Sequence, residues 1–324
     1  SITWDALTLN VDSSGTSANK QAISIDKVDT DQAVVCFNDS VNDGFCSLLT
    51  AATSTFLVET ATAEHEDANT TQFVSVAGVG TDTFVSCFQN GTSPSDIECN
   101  SATTTNNTFT FSTDLLPNFG FSVCSAGDGS ESNTSVVKLG TNKALIVVSN
   151  GSVCAKACTV GLTGAAPTLS CGTAIAISNI AGTDISSTFL STDQAMVGWR
   201  KSTTRIMGAI LTTSGTTITV QDVASTSQGV PRFTSLQALD SSTVIQGMTA
   251  SSSDLSTLEG QTIKITLSGN TITATSTPDT FETGSTHTVL PNETTNRYIA
   301  EISDNKIVIC FQDAGDTNDG KCII

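Results

Sequence analysis

Six times along the chain, a segment in which polar and apolar residues alternate leads into a short polar turn and then a strongly apolar segment. The copies are QAISIDKVDTDQAVVCF (21–37), TQFVSVAGVGTDTFVSCF (71–88), SVVKLGTNKALIVVS (135–149), ISSTFLSTDQAMVGW (185–199), RFTSLQALDSSTVIQGM (232–248) and NRYIAEISDNKIVICF (296–311). Alternation with period two, interrupted by Asp, Asn, Gly and Ser, predicts strand, tight turn, strand. Aligned on Cys36, the copies place Cys87, Val147, Gly198, Gln246 and Cys310 at one position, at intervals of 48 to 64 residues. The second segment is the most apolar of each copy, as expected of a strand covered on both faces. A third strand follows, and usually a fourth: RIMGAIL and TTITVQ (205–211, 216–221), or the hairpin QTIKITLSGNTITAT (261–275) with Ser-Gly-Asn at its turn.

Four strands in roughly 40 to 50 residues, repeated, resemble a β-propeller blade. The expected fold is all-β, one propeller domain over 1–324. Its six blades fall near 21–60, 71–112, 135–177, 185–221, 232–275 and 296–324, with a seventh if 119–134 supplies one. The last copy stops after its third strand, and SITWDALTLNV (1–11) reads as the missing fourth, so the ends are expected to close the ring and remove its free edges. A two-sheet sandwich would explain the alternation but neither the period nor the complementary ends. The repeat also resembles the tandem repeats of some secreted or tail-fibre-like proteins.

Charge narrows the partners. Thirteen basic against 31 acidic residues give a net charge of −18, which argues against nucleic acid and anionic membranes. No apolar run nears the roughly 20 residues of a membrane helix; ALIVVS (144–149) is strand-sized. A start at Ser1 without an apolar leader fits a processed chain or a piece of a longer one.

Ten cysteines bear on compartment. Cys36/Cys46, Cys87/Cys99 and Cys310/Cys322 recur at one place in the repeat and predict disulfides between second and third strands, hence a secreted or cell-surface protein. Cys124, Cys154, Cys158 and Cys171 are expected to be bridged as well, in pairings the sequence leaves open. N-glycosylation sequons stand at Asn38, Asn69, Asn90, Asn106, Asn133, Asn150 and Asn292. Three of them (Asn38, Asn90, Asn150) follow the second strand in successive blades.

Candidate chemistry is sparse. Asp313, Asp316, Asn318 and Asp319 in DAGDTNDG offer hard oxygen ligands for calcium, but without EF-hand spacing; turn formation explains them more simply, and no cofactor is expected. His65 and His287 have no nucleophile beside them, and Glu59, Glu98, Asp240, Glu282, Glu293 and Glu301 are glycosidase candidates by acidity alone. Arg200, Lys201 and Arg205 read as hairpin charges, and Phe37, Phe88, Trp199 and Phe311 as core between blades. No catalytic residue is assigned. The expected function is a non-enzymatic structural or adhesive glycoprotein module, binding other extracellular proteins or its own copies. The alternative is a lectin-like carbohydrate binder, with a propeller glycosidase third.

Overall fold

The computed structural model describes residues 23–38, 44–52, 55–58, 63–64, 71–90, 96–105, 108–112, 133–149, 152–178, 182–202, 205–228, 230–251, 258–282, 299–303, 306–313 and 319–324. Among them there is no helix. Twenty-six strands form six antiparallel sheets, each a meander from an innermost strand outward. The innermost strands are Ile23–Lys27, Thr71–Gly80, Asn133–Gly140, Thr183–Ser191, Val230–Asp240 and Ile299–Ser303, opening blades 1 to 6. Blades 1 to 5 have four strands in this order. In blades 1, 3 and 5 a further short segment (Ala63–Glu64, Ile175–Ser178, Asp279–Glu282) pairs with the third strand. Blade 6 shows three strands, and residues 1–11, expected to complete it, lie outside the described residues.

The core lies between the sheets. Four apolar clusters fill the four successive joints from blade 1 to blade 5. Val34, Cys36 and Leu48 pack on Val74 and Phe84; Ala77 and Val85 on Val136 and Ile146; Leu139 and Val147 on Ile185 and Trp199; Met196 and Ile210 on Leu236 and Ile263. Because successive side chains of a strand point to opposite faces, a strand between two neighbouring sheets must be apolar at every position. Lys143–Ser149 is buried throughout and apolar across 144–148, with polar residues only at its two ends.

A serine recurs at one position of the innermost strands: Ser24, Ser75, Ser135, Ser186 and Ser235, opposite Cys36, Cys87, Val147, Gly198 and Gly247. The fifth copy is thus aligned one residue later than the apolar pattern suggests, at Gly247 and not at Gln246. Ser24 Oγ accepts Val76 N–H at 3.1 Å, Ser75 Oγ accepts Val136 N–H at 2.9 Å, and Ser186 Oγ accepts Leu236 N–H at 3.0 Å. The Ser135 and Ser187 hydroxyls share a bond of 2.7 Å. Ser24, Ser75, Ser135 and Ser186 therefore each tie their innermost strand to that of the next blade.

The turns from first to second strand make the second tie. Asp82, Asn142 and Asp193 sit at φ of 53°, 55° and 63°, a region that Asn and Asp tolerate better than most residues. This conformation directs their N–H groups to the Val28, Val79 and Leu139 carbonyls of the preceding blade, at 3.3, 2.9 and 2.7 Å. Their own carbonyls accept the N–H groups of Thr104, Val160 and Thr213, each at 2.8 Å.

Disulfides join directly opposed residues of the second and third strands: Cys36–Cys46, Cys87–Cys99 and Cys310–Cys322. Cys158–Cys171 instead joins the third and fourth strands of blade 3. Cys154 is disulfide-bonded too, and Cys124 lies outside the described residues.

Candidate functional site

All six innermost strands contribute to one cavity of about 700 Å³. It lies toward their C-terminal ends, on the side of the turns just described. In an antiparallel meander the turns from second to third strand, where Asn38 and Asn90 end their strands, lie at the opposite end of the blade.

One position of the repeat lines this cavity in every blade: Lys27, Gly78, Lys138, Phe189, Ala238 and Glu301. Their equivalence is shown by their partners on the second strands, Ala33, Phe84, Ala144, Ala195, Val244 and Ile307. The position therefore carries two ammonium groups, one carboxylate, one aromatic ring and two small residues around the axis. Phe189 is 38% exposed although most large apolar side chains near it are buried.

Asp26, beside this ring, is held by backbone. Its Oδ2 accepts Gly78 N–H and its Oδ1 accepts Lys27 N–H, both at 3.0 Å. The strands approach so closely that a Cβ on Gly78 would lie 1.8 Å from the Lys27 carbonyl oxygen. Asp240 lines the far side, and its Oδ1 accepts both the Ser242 hydroxyl at 2.7 Å and the Ser242 N–H at 2.6 Å. These hydrogen bonds, the hydroxyl's foremost, hold its carboxyl below the usual range.

Of the acidic residues singled out in the sequence, Asp240 and Glu301 thus share one cavity, whereas Glu98 is buried within blade 2. His65, His287, Glu59 and Glu293 lie outside the described residues, as does the side chain of Glu282. Arg200 is not a free hairpin charge: its Nε pairs with Asp184 Oδ2 at 2.6 Å, and Asp184 is nearly buried. Phe37, Phe88 and Trp199 are core, as expected. Asn133, which opens the innermost strand of blade 3, is 3% exposed. Asn69, Asn106, Asn150 and Asn292 fall outside the described residues. Among the described residues no three His, Cys, Asp or Glu side chains gather as a metal site. Asp313 and Asp319 are paired in register at the blade 6 hairpin, with Asp316 and Asn318 outside the description. Lys27, Lys138 and Phe189 were not marked in the sequence.

No protein-family model and no curated protein sequence matches the chain. Among solved structures it is similar to AofleA from Arthrobotrys oligospora, with a TM-score of 0.51 at 11% identity, over 94% of this chain and 83% of that one. A triple arginine-to-alanine variant of AofleA overlays at 0.54, with the same identity and coverage. A variant of Aleuria aurantia lectin in complex with Fucalpha1-6GlcNAc reaches 0.44 at 12% identity, covering 94% of this chain and 97% of that one; at that score the overlay has no bearing on the site. The likeness to AofleA concerns the fold, and the chain is a six-bladed β-propeller.

Proposed function

We propose that the chain is a non-catalytic carbohydrate-binding propeller that takes a glycan at the axial cavity and serves as an extracellular adhesion module. The observation that carries this reading is the unequal ring of Lys27, Gly78, Lys138, Phe189, Ala238 and Glu301 around one cavity. Sugar recognition needs hydrogen-bonding groups placed around an apolar platform. Here the lysines and Glu301 supply the first and exposed Phe189 the second. The proposed site is axial, unlike a pocket repeated in each blade.

Hydrolysis fits less well. A glycosidase needs a carboxyl whose proton is retained near neutrality, beside a second carboxylate. The ring holds one carboxylate, and Asp240 nearby is shifted in the opposite direction. Four disulfides with both partners described favour an oxidising compartment, and no described helix is long and apolar enough to cross a membrane.

The test is a glycan array of neutral and charged oligosaccharides, followed by calorimetry with Phe189→Ala. Binding of at least one glycan class, weakened by the substitution while the fold is unchanged, is expected. Absence of binding across the array would overturn the reading, and so would cleavage of a bound glycan.

A further inference from the structure

Around the ring, charge is not scattered. Lys27 and Lys138 stand on blades 1 and 3 and flank Gly78 of blade 2, so that two ammonium groups border the one place where the ring has no side chain. Neither lysine has a hydrogen-bond or ion-pair partner among the described residues. This is unusual in a chain of net charge −18, where acidic partners abound. Lys138 is half-buried, which raises the value of a counter-charge there relative to open solvent. Phe189 follows on blade 4, next to Lys138, and Glu301 stands on blade 6.

The competing charges are Asp26, Asp29, Asp240 and Glu301. Asp26 has both oxygens occupied by backbone N–H groups, and Asp240 is occupied by Ser242, so both are committed to holding the frame. Asp29 keeps an acidic group on the blade 1 wall, but at the ring position itself blades 1 to 4 present Lys27, Gly78, Lys138 and Phe189, a cationic and aromatic set.

We propose that the axial cavity selects acidic glycans, a sugar carboxylate seated over Gly78 between Lys27 and Lys138 and the ring's apolar face against Phe189. This rests on the carbohydrate-binding reading above and names its ligand class. Ammonium–carboxylate hydrogen bonds are among the stronger ones in proteins, and an aromatic face accepts the C–H face of a pyranose. The net negative charge of the whole chain slows approach of an anion, but screening beyond about 10 Å confines that effect to encounter at ordinary salt.

The experiment is titration calorimetry with oligogalacturonate and with its neutral methyl-esterified form, on the native chain and on Lys138→Gln, Lys27→Gln and Phe189→Ala. Both lysine positions are at least partly exposed, so these variants are expected to fold, and their unfolding midpoints check this. The free acid should bind about tenfold tighter than the ester. Each lysine substitution should weaken the free acid far more than the ester and so remove most of that preference, and the preference should shrink with salt. Phe189→Ala should weaken both forms. Equal or tighter binding of the ester, or lysine variants that weaken both forms alike, would overturn the acidic preference yet leave a carbohydrate binder. Binding of neither form, with none on the array, would end both readings.

Discussion

Val136 N–H donates to Ser75 Oγ at 2.9 Å across the joint between blades 2 and 3, where both residues are buried. Truncating that serine would leave a buried N–H without its acceptor, and a group stranded in this way costs about 1–3 kcal/mol. Ser75→Ala should therefore lower the unfolding free energy by about that amount in urea titration. Ser24→Ala should cost less, because its bond to Val76 is only partly buried. Equal, negligible shifts would mean that the apolar clusters alone hold the joints.

Asn142 turns blade 3 onto blade 2 by adopting φ 55°. A β-branched residue in this region is strained by about 1–2 kcal/mol, whereas glycine is not. Asn142→Val should lower thermal stability, and Asn142→Gly should stay within about 0.5 kcal/mol of the parent. If both variants lose stability equally, the asparagine side chain matters and not its backbone conformation.

The contrast explains what could be read from the residues alone. Blades were legible because strand, turn and strand are local: Thr81-Asp82, Thr141-Asn142 and Thr192-Asp193 announce their turns, and the buried Lys143–Ser149 run announces its strand. The one-residue offset at Gly247 was not, because an alternating pattern aligned by composition has only the neighbouring residues to fix its register, while the structural marker is a hydroxyl bonding to another blade. The cavity was hidden for a related reason. Lys27, Lys138, Phe189 and Glu301 share no chemistry, so no pattern links them until the sheets bring equivalent positions around one axis. Cys158–Cys171 was out of reach too, since it departs from the second-to-third strand rule the other bridges follow.

Lys143 reaches across the joint between blades 3 and 4. Its Nζ donates to Asp193 Oδ1 and, at 2.8 Å, to Thr213 Oγ1. The hydrogen bond from Lys143 is the main cause that pulls the Asp193 carboxyl below its ordinary 3.8. A carboxyl depressed in the folded state stabilises above its unfolded value, and that contribution is lost as pH falls through the folded value. Asp193 is largely solvent-accessible, so the effect is modest. Asp193→Asn should lower the melting temperature at neutral pH, and the gap to the parent should close as pH drops below about 4. A gap independent of pH would show that packing, not charge, is lost.

Bridges over 10 to 13 residues tie strands within blades 1, 2, 3 and 6. Loops of this size are worth about 3 kcal/mol each in the chain-entropy model. Replacing Cys87 and Cys99 together by Ala should cost roughly that amount, measured by denaturant unfolding. Non-reducing peptide mapping should recover the four bridges. With eight of the ten cysteines so assigned, it should also link Cys154 to the one remaining, Cys124. A thiol released at Cys154 without reductant would contradict this.

Gly78 gives the most demanding case, since it lies in both the frame and the cavity wall. An added methyl would sit 1.8 Å from the Lys27 carbonyl oxygen, a backbone atom with no rotamer by which to retreat. The innermost strands of blades 1 and 2 would have to part, and with them the bond from Gly78 N–H to Asp26 Oδ2. Gly198→Ala is the control: there the nearest atom is Leu236 Cδ1 at 3.0 Å, the end of a side chain that can turn aside. Overpacking against fixed atoms costs about 1–3 kcal/mol or more. Gly78→Ala should thus be destabilised by at least that much and Gly198→Ala by clearly less, in chemical denaturation followed by tryptophan fluorescence. If the folded fraction of Gly78→Ala still binds glycan as tightly as the parent, the space beside Lys27 is not part of the binding site.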